Sequence, residues 1–139
     1  MTDLTAHHFG VTLTDLDRAV EFYRDVFGLA VLDRFTVSGE AFARGVGVPD
    51  ATGRFAHLDA GDARVELVEY DPEGRAVRAE TVADAGAKHL GLAVDDLDAV
   101  YADLPETVET LSSPQTTESG TRICFVRDPD GNLVELLEA

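Results

Sequence analysis

From His8 the chain alternates in polarity, with His8, Gly10 and Thr12 on one side of an extended segment and Phe9, Val11 and Leu13 on the other. The period then changes. Leu16, Ala19, Val20, Tyr23, Val26 and Phe27 recur at helical spacing behind Thr14 and Asp15, either of which can cap a helix start, and Gly28 ends the segment. A later stretch makes the same change: His89, Gly91 and Ala93 alternate with Leu90, Leu92 and Val94, and Leu97, Val100, Tyr101 and Leu104 then form one stripe between Asp95/Asp96 and Pro105. Tyr23 and Tyr101 fit these stripes and are expected in the core. Apolar runs flanking turn residues predict two β-hairpins, residues 55–58 with 63–70 around Asp59-Ala60-Gly61-Asp62, and 121–127 with 132–138 around Asp128-Pro129-Asp130-Gly131. Further strands are expected at 30–37 and 106–111. The glycine-bearing stretch 38–53 takes no assignment, and such loops beside a rigid scaffold often cover a ligand.

The two stretches are one sentence written twice. His8-Phe9-Gly10-Val11-Thr12-Leu13-Thr14-Asp15-Leu16-Asp17 is matched by His89-Leu90-Gly91-Leu92-Ala93-Val94-Asp95-Asp96-Leu97-Asp98, and Arg64-Val65-Glu66-Leu67-Val68-Glu69 by Leu133-Val134-Glu135-Leu136-Leu137-Glu138. The spacing between motifs is longer in the first half, which therefore carries extra residues. The expected fold class is α+β, two tandem βαβββ modules in a single domain over 1–139: module one at 4–70, a polar connection at 71–87, module two at 88–139.

Composition narrows the partners. With 45% hydrophobic residues, 139 residues suffice for a real core. The formal charge of −16 sets 27 acidic residues against 11 basic ones, of which Lys88 is the single lysine. That balance argues against nucleic acid as a partner. It suits a halophilic protein, whose self-repulsion is screened by salt, better than a DNA-mimicking or scaffolding surface, because the acids are scattered rather than blocked into runs. Cys124, the single cysteine, lies in an apolar run and reads as a small core residue. Neither a leader pattern nor an apolar run long enough to span a membrane is present, so a cytoplasmic, unprocessed protein with no membrane partner is expected.

The repeated polar residues carry the candidate chemistry. His8, Glu66, His89 and Glu135 sit in otherwise apolar strands, and alternation places all four on the face away from the helices. Two neutral imidazoles and two carboxylates suit a borderline divalent ion, with positions left for water or substrate, and such an ion can polarise a carbonyl. One strand histidine alone is usually only a satisfied polar residue; four matched residues, two histidines and two glutamates, on the same inferred face point to a metal. His7 is expected to face away from His8. His57, beside the Glu66 strand, could contact substrate or steady a ligand, and Tyr70 could contact a substrate oxygen or merely pack.

The quoted motifs, together with Thr14 to Tyr23 and Asp128-Pro129-Asp130-Gly131-Asn132, resemble the vicinal oxygen chelate superfamily, the group of glyoxalase I, methylmalonyl-CoA epimerase, extradiol dioxygenases and fosfomycin- and bleomycin-resistance proteins. The resemblance spans nearly the whole chain. It implies paired modules forming a curved, incompletely closed mixed sheet with helices outside, around a divalent metal ion held by His8, Glu66, His89 and Glu135, commonly in a homodimer. The site would form either within one chain or across two subunits. Because the Glu66 position is filled, the resemblance favours a glyoxalase-like lyase or isomerase using Zn, Ni, Co or Mn and moving a proton next to a carbonyl of a small-molecule substrate, free or as its thiol adduct or thioester. Glu135 is the expected base, with Glu66 the alternative and Asp50 a third candidate. Arg54, Arg64 and Arg122 are candidate partners for the carboxylates of a thiol cofactor. Two competing readings are an iron (Fe) dioxygenase using His8, His89 and Glu135, and a non-catalytic small-molecule binding protein.

Overall fold

A computed structural model of the chain describes residues 2–139. These fall into two compact units, the first ending at Ala76 and the second beginning at Val77. In the first, β1 (His8–Thr12), α1 (Leu16–Phe27), β2 (Val31–Val37), α2 (Glu40–Val46), β3 (Thr52–Asp59) and β4 (Arg64–Asp71) follow in order. Its strands form a mixed sheet β1-β4-β3-β2 in which β1 runs parallel to β4 and the other pairs are antiparallel. The second unit contains β5 (His89–Ala93), α3 (Leu97–Asp103), β6 (Gln115–Thr116), β7 (Arg122–Arg127) and β8 (Leu133–Glu138). Its sheet, β5-β8-β7-β6, repeats the same order and the same single parallel pair. Neither four-stranded sheet closes on itself, and the architecture is α+β.

Both helices that follow a first strand are fixed at their starts in the same double way. Asp15 accepts from the backbone N–H of Arg18 at 3.1 Å, and Asp96 from that of Ala99 at 3.1 Å. The first helical N–H in each is met from the last glutamate of the repeat: Leu16 N–H donates to Glu69 Oε1 at 3.0 Å, and Leu97 N–H to Glu138 Oε1 at 2.7 Å. A helix start leaves several N–H groups without internal partners, and a carboxylate there also answers the positive end of the helix dipole. Gly28 ends α1 at φ 71, a left-handed conformation that costs a residue without a β-carbon little.

Below α1 the core closes with the apolar face of β3 and β4, where Leu16, Ala19, Val20 and Tyr23 are buried together with Ala56, Leu58, Val65 and Leu67. In the second unit α3 contributes less. Leu97 is its one fully buried residue, over Cys124, Val126, Val134 and Leu136, and Tyr101 is only half-buried, contrary to the expectation of a core tyrosine. The α3 helix has 7 residues against 12 in α1, so its stripe is too short to cover Tyr101. Cys124 behaves as a core residue: its thiol meets Ser112 O at 3.4 Å, and burial pushes its pKa up.

Two elements depart from the sequence pattern. The expected strand at 106–111 is replaced by a turn in which Val108 N–H bonds back to Pro105 O at 3.0 Å, leaving an isolated bridge from Thr110 to Val126; the fourth strand is the later, two-residue β6. The unassigned stretch 38–53 holds α2 and the start of β3. We predict that Glu138→Ala, which removes the bond to Leu97 N–H, lowers stability by about 1 kcal/mol. Chemical denaturation in concentrated salt measures this, and unchanged stability would show that solvent caps α3 equally well.

Candidate functional site

Register decides what shares the helix-free face of each sheet. In the first unit Gly10 pairs with Glu66 across β1 and β4, and His57 pairs with Glu66 across β3 and β4. His8, Thr12, Phe35, Phe55, His57, Glu66 and Tyr70 therefore occupy one face. There His8 Nε2 lies 3.5 Å from Glu66 Oε2. In the second unit Gly91 and Phe125 both pair with Glu135, and His89 Nε2 lies 3.4 Å from Glu135 Oε1. Each sheet thus presents one imidazole and one carboxylate in matching positions, with a glycine on the strand beside the carboxylate. At Gly10 an added β-carbon would stand in ordinary contact with Glu66 Oε1, at 3.8 Å.

These separations are those of two atoms bound to one ion through bonds of about 2.1 Å, and imidazole nitrogen with carboxylate oxygen is a donor set that borderline divalent ions accept. The residues therefore fit a metal as two matched pairs. Among the described residues no group of three or more His, Cys, Asp or Glu side chains is arranged to hold a metal ion.

Other candidates separate clearly. His57 is 6% exposed, and its Nε2 lies 2.7 Å from Glu66 Oε2 while Arg64 Nη1 lies 3.2 Å from its Nδ1. His7 does not turn away as alternation suggested. It precedes β1, so strand alternation does not govern it, and its Nδ1 lies 2.8 Å from that of His8 with its ring 6.3 Å from that of His57. Arg54 and Arg122 sit on the helix-covered side. Arg54 pairs with Glu69 at 2.8 Å and lies 3.8 Å from Asp17 of α1, and Arg122 pairs with Asp98 of α3 and with Thr116, tying each sheet to its helix rather than facing the open side. Arg34 bonds Asp17 at 2.5 Å in the same region and holds its carboxyl below the usual range. Of the three arginines only Arg64 shares a face with Glu66. Asp50, at φ 62, lines an open cavity of about 740 Å³ with Ser38, Glu40, Arg44 and Thr52, a lining that includes neither His8 nor Glu66.

Beside the first His/Glu pair stands an aromatic wall that the sequence pattern did not reveal. Phe35 stacks on Phe55 with centroids 5.1 Å apart, Phe42 of α2 stacks on Tyr70 at 6.4 Å, and Phe35 meets His57 edge-on at 5.2 Å. Burial, and secondarily the charge of Glu66, raises the Tyr70 pKa, so its hydroxyl stays protonated as a donor. The wall requires Gly53: a β-carbon there would lie 2.5 Å from Cε2 of Phe55 and 3.0 Å from Cζ of Phe42.

Comparison with known proteins converges on one family. The model of the Glyoxalase/Bleomycin resistance protein/Dioxygenase superfamily matches residues 5–136. A 2-epi-5-epi-valiolone epimerase from an Actinomyces species is 32% identical over 96% of this chain and 79% of its own length. A lactoylglutathione lyase from Schizosaccharomyces pombe is 23% identical over 99% of this chain, which spans 48% of that protein. Among solved structures, a glyoxalase family protein from Bacillus cereus superposes with a TM-score of 0.88 at 25% identity, covering 99% of this chain and 95% of that one.

Gly53→Ala is expected to push the Phe55 and Phe42 rings apart and to cost about 1–3 kcal/mol, as overpacking does. Thermal denaturation of the variant checks it, and a wild-type melting temperature would mean that the rings move aside freely.

Proposed function

The chain belongs to the glyoxalase/bleomycin resistance protein/dioxygenase superfamily, and from that premise we propose that it is a metal-dependent isomerase or lyase that moves a proton next to a carbonyl of a small α-oxygenated substrate. One observation carries the reading: the His8–Glu66 and His89–Glu135 pairs recur at 3.5 and 3.4 Å on the helix-free faces of the two repeated sheets. In this reading each pair, His8 with Glu66 and His89 with Glu135, offers a nitrogen and an oxygen donor to a divalent ion. When bound, the ion supplies stabilisation of the negative charge that develops on a substrate oxygen.

The chain's own groups do the rest. Glu135 takes the carbon-bound proton and by returning it to a neighbouring carbon isomerises the substrate; inversion of the same centre needs a proton delivered to the opposite face by a second donor. Tyr70 offers a protonated hydroxyl to a substrate oxygen, and the Phe35, Phe55 and Phe42 rings shield that side from water. The similarity to an enzyme named for epimerising 2-epi-5-epi-valiolone supports carbon-centred proton transfer over oxygen chemistry. The acidic composition supports work in concentrated salt, and a homodimer in the cytoplasm belongs to the same proposal.

Metal analysis of protein purified in high salt without chelator should find a non-iron divalent ion. Exchange of substrate hydrogen with solvent deuterium, followed on a panel of α-hydroxy ketones, should fall about 10²–10⁴-fold in Glu135→Gln with the ion retained. Glu66→Ala should lose the ion. Full exchange in metal-loaded Glu135→Gln would remove that residue as the base, and iron with substrate-dependent oxygen uptake would replace the isomerase reading with a dioxygenase. In a separate measurement, the melting temperature should rise from dilute buffer to molar KCl as screening relieves the −16 charge, and a flat response would contradict a halophilic protein.

A further inference from the structure

The two halves part company at one position. Glu66 and Glu135 are matched by the repeat, and the strand next to each supplies a register partner: His57 for Glu66, Phe125 for Glu135. Both partners sit against the first-strand histidine of their unit, with ring centroids 5.8 Å apart for His8 and His57 and 5.0 Å for His89 and Phe125. Place is shared, and chemistry is not. His57 bonds Glu66, and Arg64 bonds His57, whereas Leu133 stands where Arg64 would be in the second half and neither it nor Phe125 has a proton to give. Among the described residues His89 is the one side chain paired with the Glu135 carboxylate.

The first half's chain has a fixed direction. A guanidinium can donate but never accept, so Arg64 Nη1 at 3.2 Å makes Nδ1 of His57 the acceptor. The imidazole proton is thereby placed on Nε2, which donates to Glu66 Oε2 at 2.7 Å. Side-chain exposure of 8% at His57 and 17% at Glu66 keeps water from competing for the bond.

We propose that Arg64 and His57 are positioning residues that pin the Glu66 carboxylate, and that this makes the two glutamates unequal, Glu66 a fixed holder and Glu135 a mobile one. The inference deepens the proposed function and rests on it for its purpose. A carboxylate with one oxygen tied to a buried donor cannot rotate without breaking that bond. One whose neighbour is a phenyl ring can swing, as a group that both holds an ion and collects a proton must.

Two measurements on the full-length protein test this. In the metal-free protein, ¹⁵N NMR of the imidazoles should find His57 with its proton on Nε2, and Arg64→Leu, which installs the second half's residue, should mix the tautomers. A proton on Nδ1 in the wild type overturns the relay whatever the protein binds. Titration calorimetry with Ni²⁺ should then show His57→Phe binding about 10–100-fold more weakly, the usual effect of removing a partner of a ligand. His57→Gln, which keeps an N–H within reach of Glu66, should recover affinity to within a few-fold. Equal affinity in His57→Phe and wild type, or a Gln variant as weak as the Phe variant, overturns pinning by a hydrogen bond. Wild-type protein that takes up no Ni²⁺ overturns the proposed function instead, while the tautomer still reports on the relay; thermal denaturation of each variant separates these outcomes from loss of fold.

Discussion

The structure depends on where one strand in each half puts two glutamates. In β4, Glu66 and Glu69 are three residues apart, so strand alternation sends them to opposite faces: Glu66 beside His8, Glu69 onto the first N–H of α1. In β8, Glu135 and Glu138 repeat the division against His89 and Leu97. The same hydrogen-bond register therefore fixes both the site and the helix that covers the sheet's other side. A slip of one residue would exchange every such side chain between faces, carrying the site carboxylate into the core and leaving the helix start bare. The buried valines and leucines flanking Glu66 and Glu135 make that slip prohibitive, since Val65, Leu67, Val134 and Leu136 would all move to the open face.

Much of this was legible in the sequence because it obeys local rules. The change from period two to helical period located β1, α1, β5 and α3, the Asp15, Asp96 and Gly28 signals marked helix ends, and turn chemistry located both hairpins. Alternation alone put His8 with Glu66 and His89 with Glu135 on the helix-free faces. What escaped depends on context. The α2 helix starts at Gly39 with φ 105 and no side-chain cap and buries no residue fully, so neither capping nor periodicity betrayed it. The second half's edge strand is two residues long, below the reach of any periodic signal. Tyr101 belonged to a correct stripe on a helix too short to bury it.

His57 and Arg64 were singled out separately, and the link between them escaped for a different reason. Each is ordinary taken singly, a strand histidine and a surface arginine, and their meaning comes from comparing the halves through the hairpin register, where His57 answers to Phe125 and Arg64 to Leu133. The two halves share what the fold needs and differ in what only one half uses. Aspartate caps and helix-binding glutamates recur in both; the hydrogen-bonded chain onto the carboxylate does not. A duplicated scaffold can keep a matched set of donors while the surroundings make those donors unlike.

Gly53 has a further consequence. Its hydrogen fills a place that the Phe55 ring would otherwise contest, so the two positions share one fixed volume on the open face. A side chain at 53 requires the Phe55 ring to shift or to shrink. In lineages descending from this chain, a larger residue at 53 should appear only after position 55 has lost its ring. Such an ordered exchange would shift the bulk along β3 and reshape the wall beside Glu66 without altering any group that bears charge.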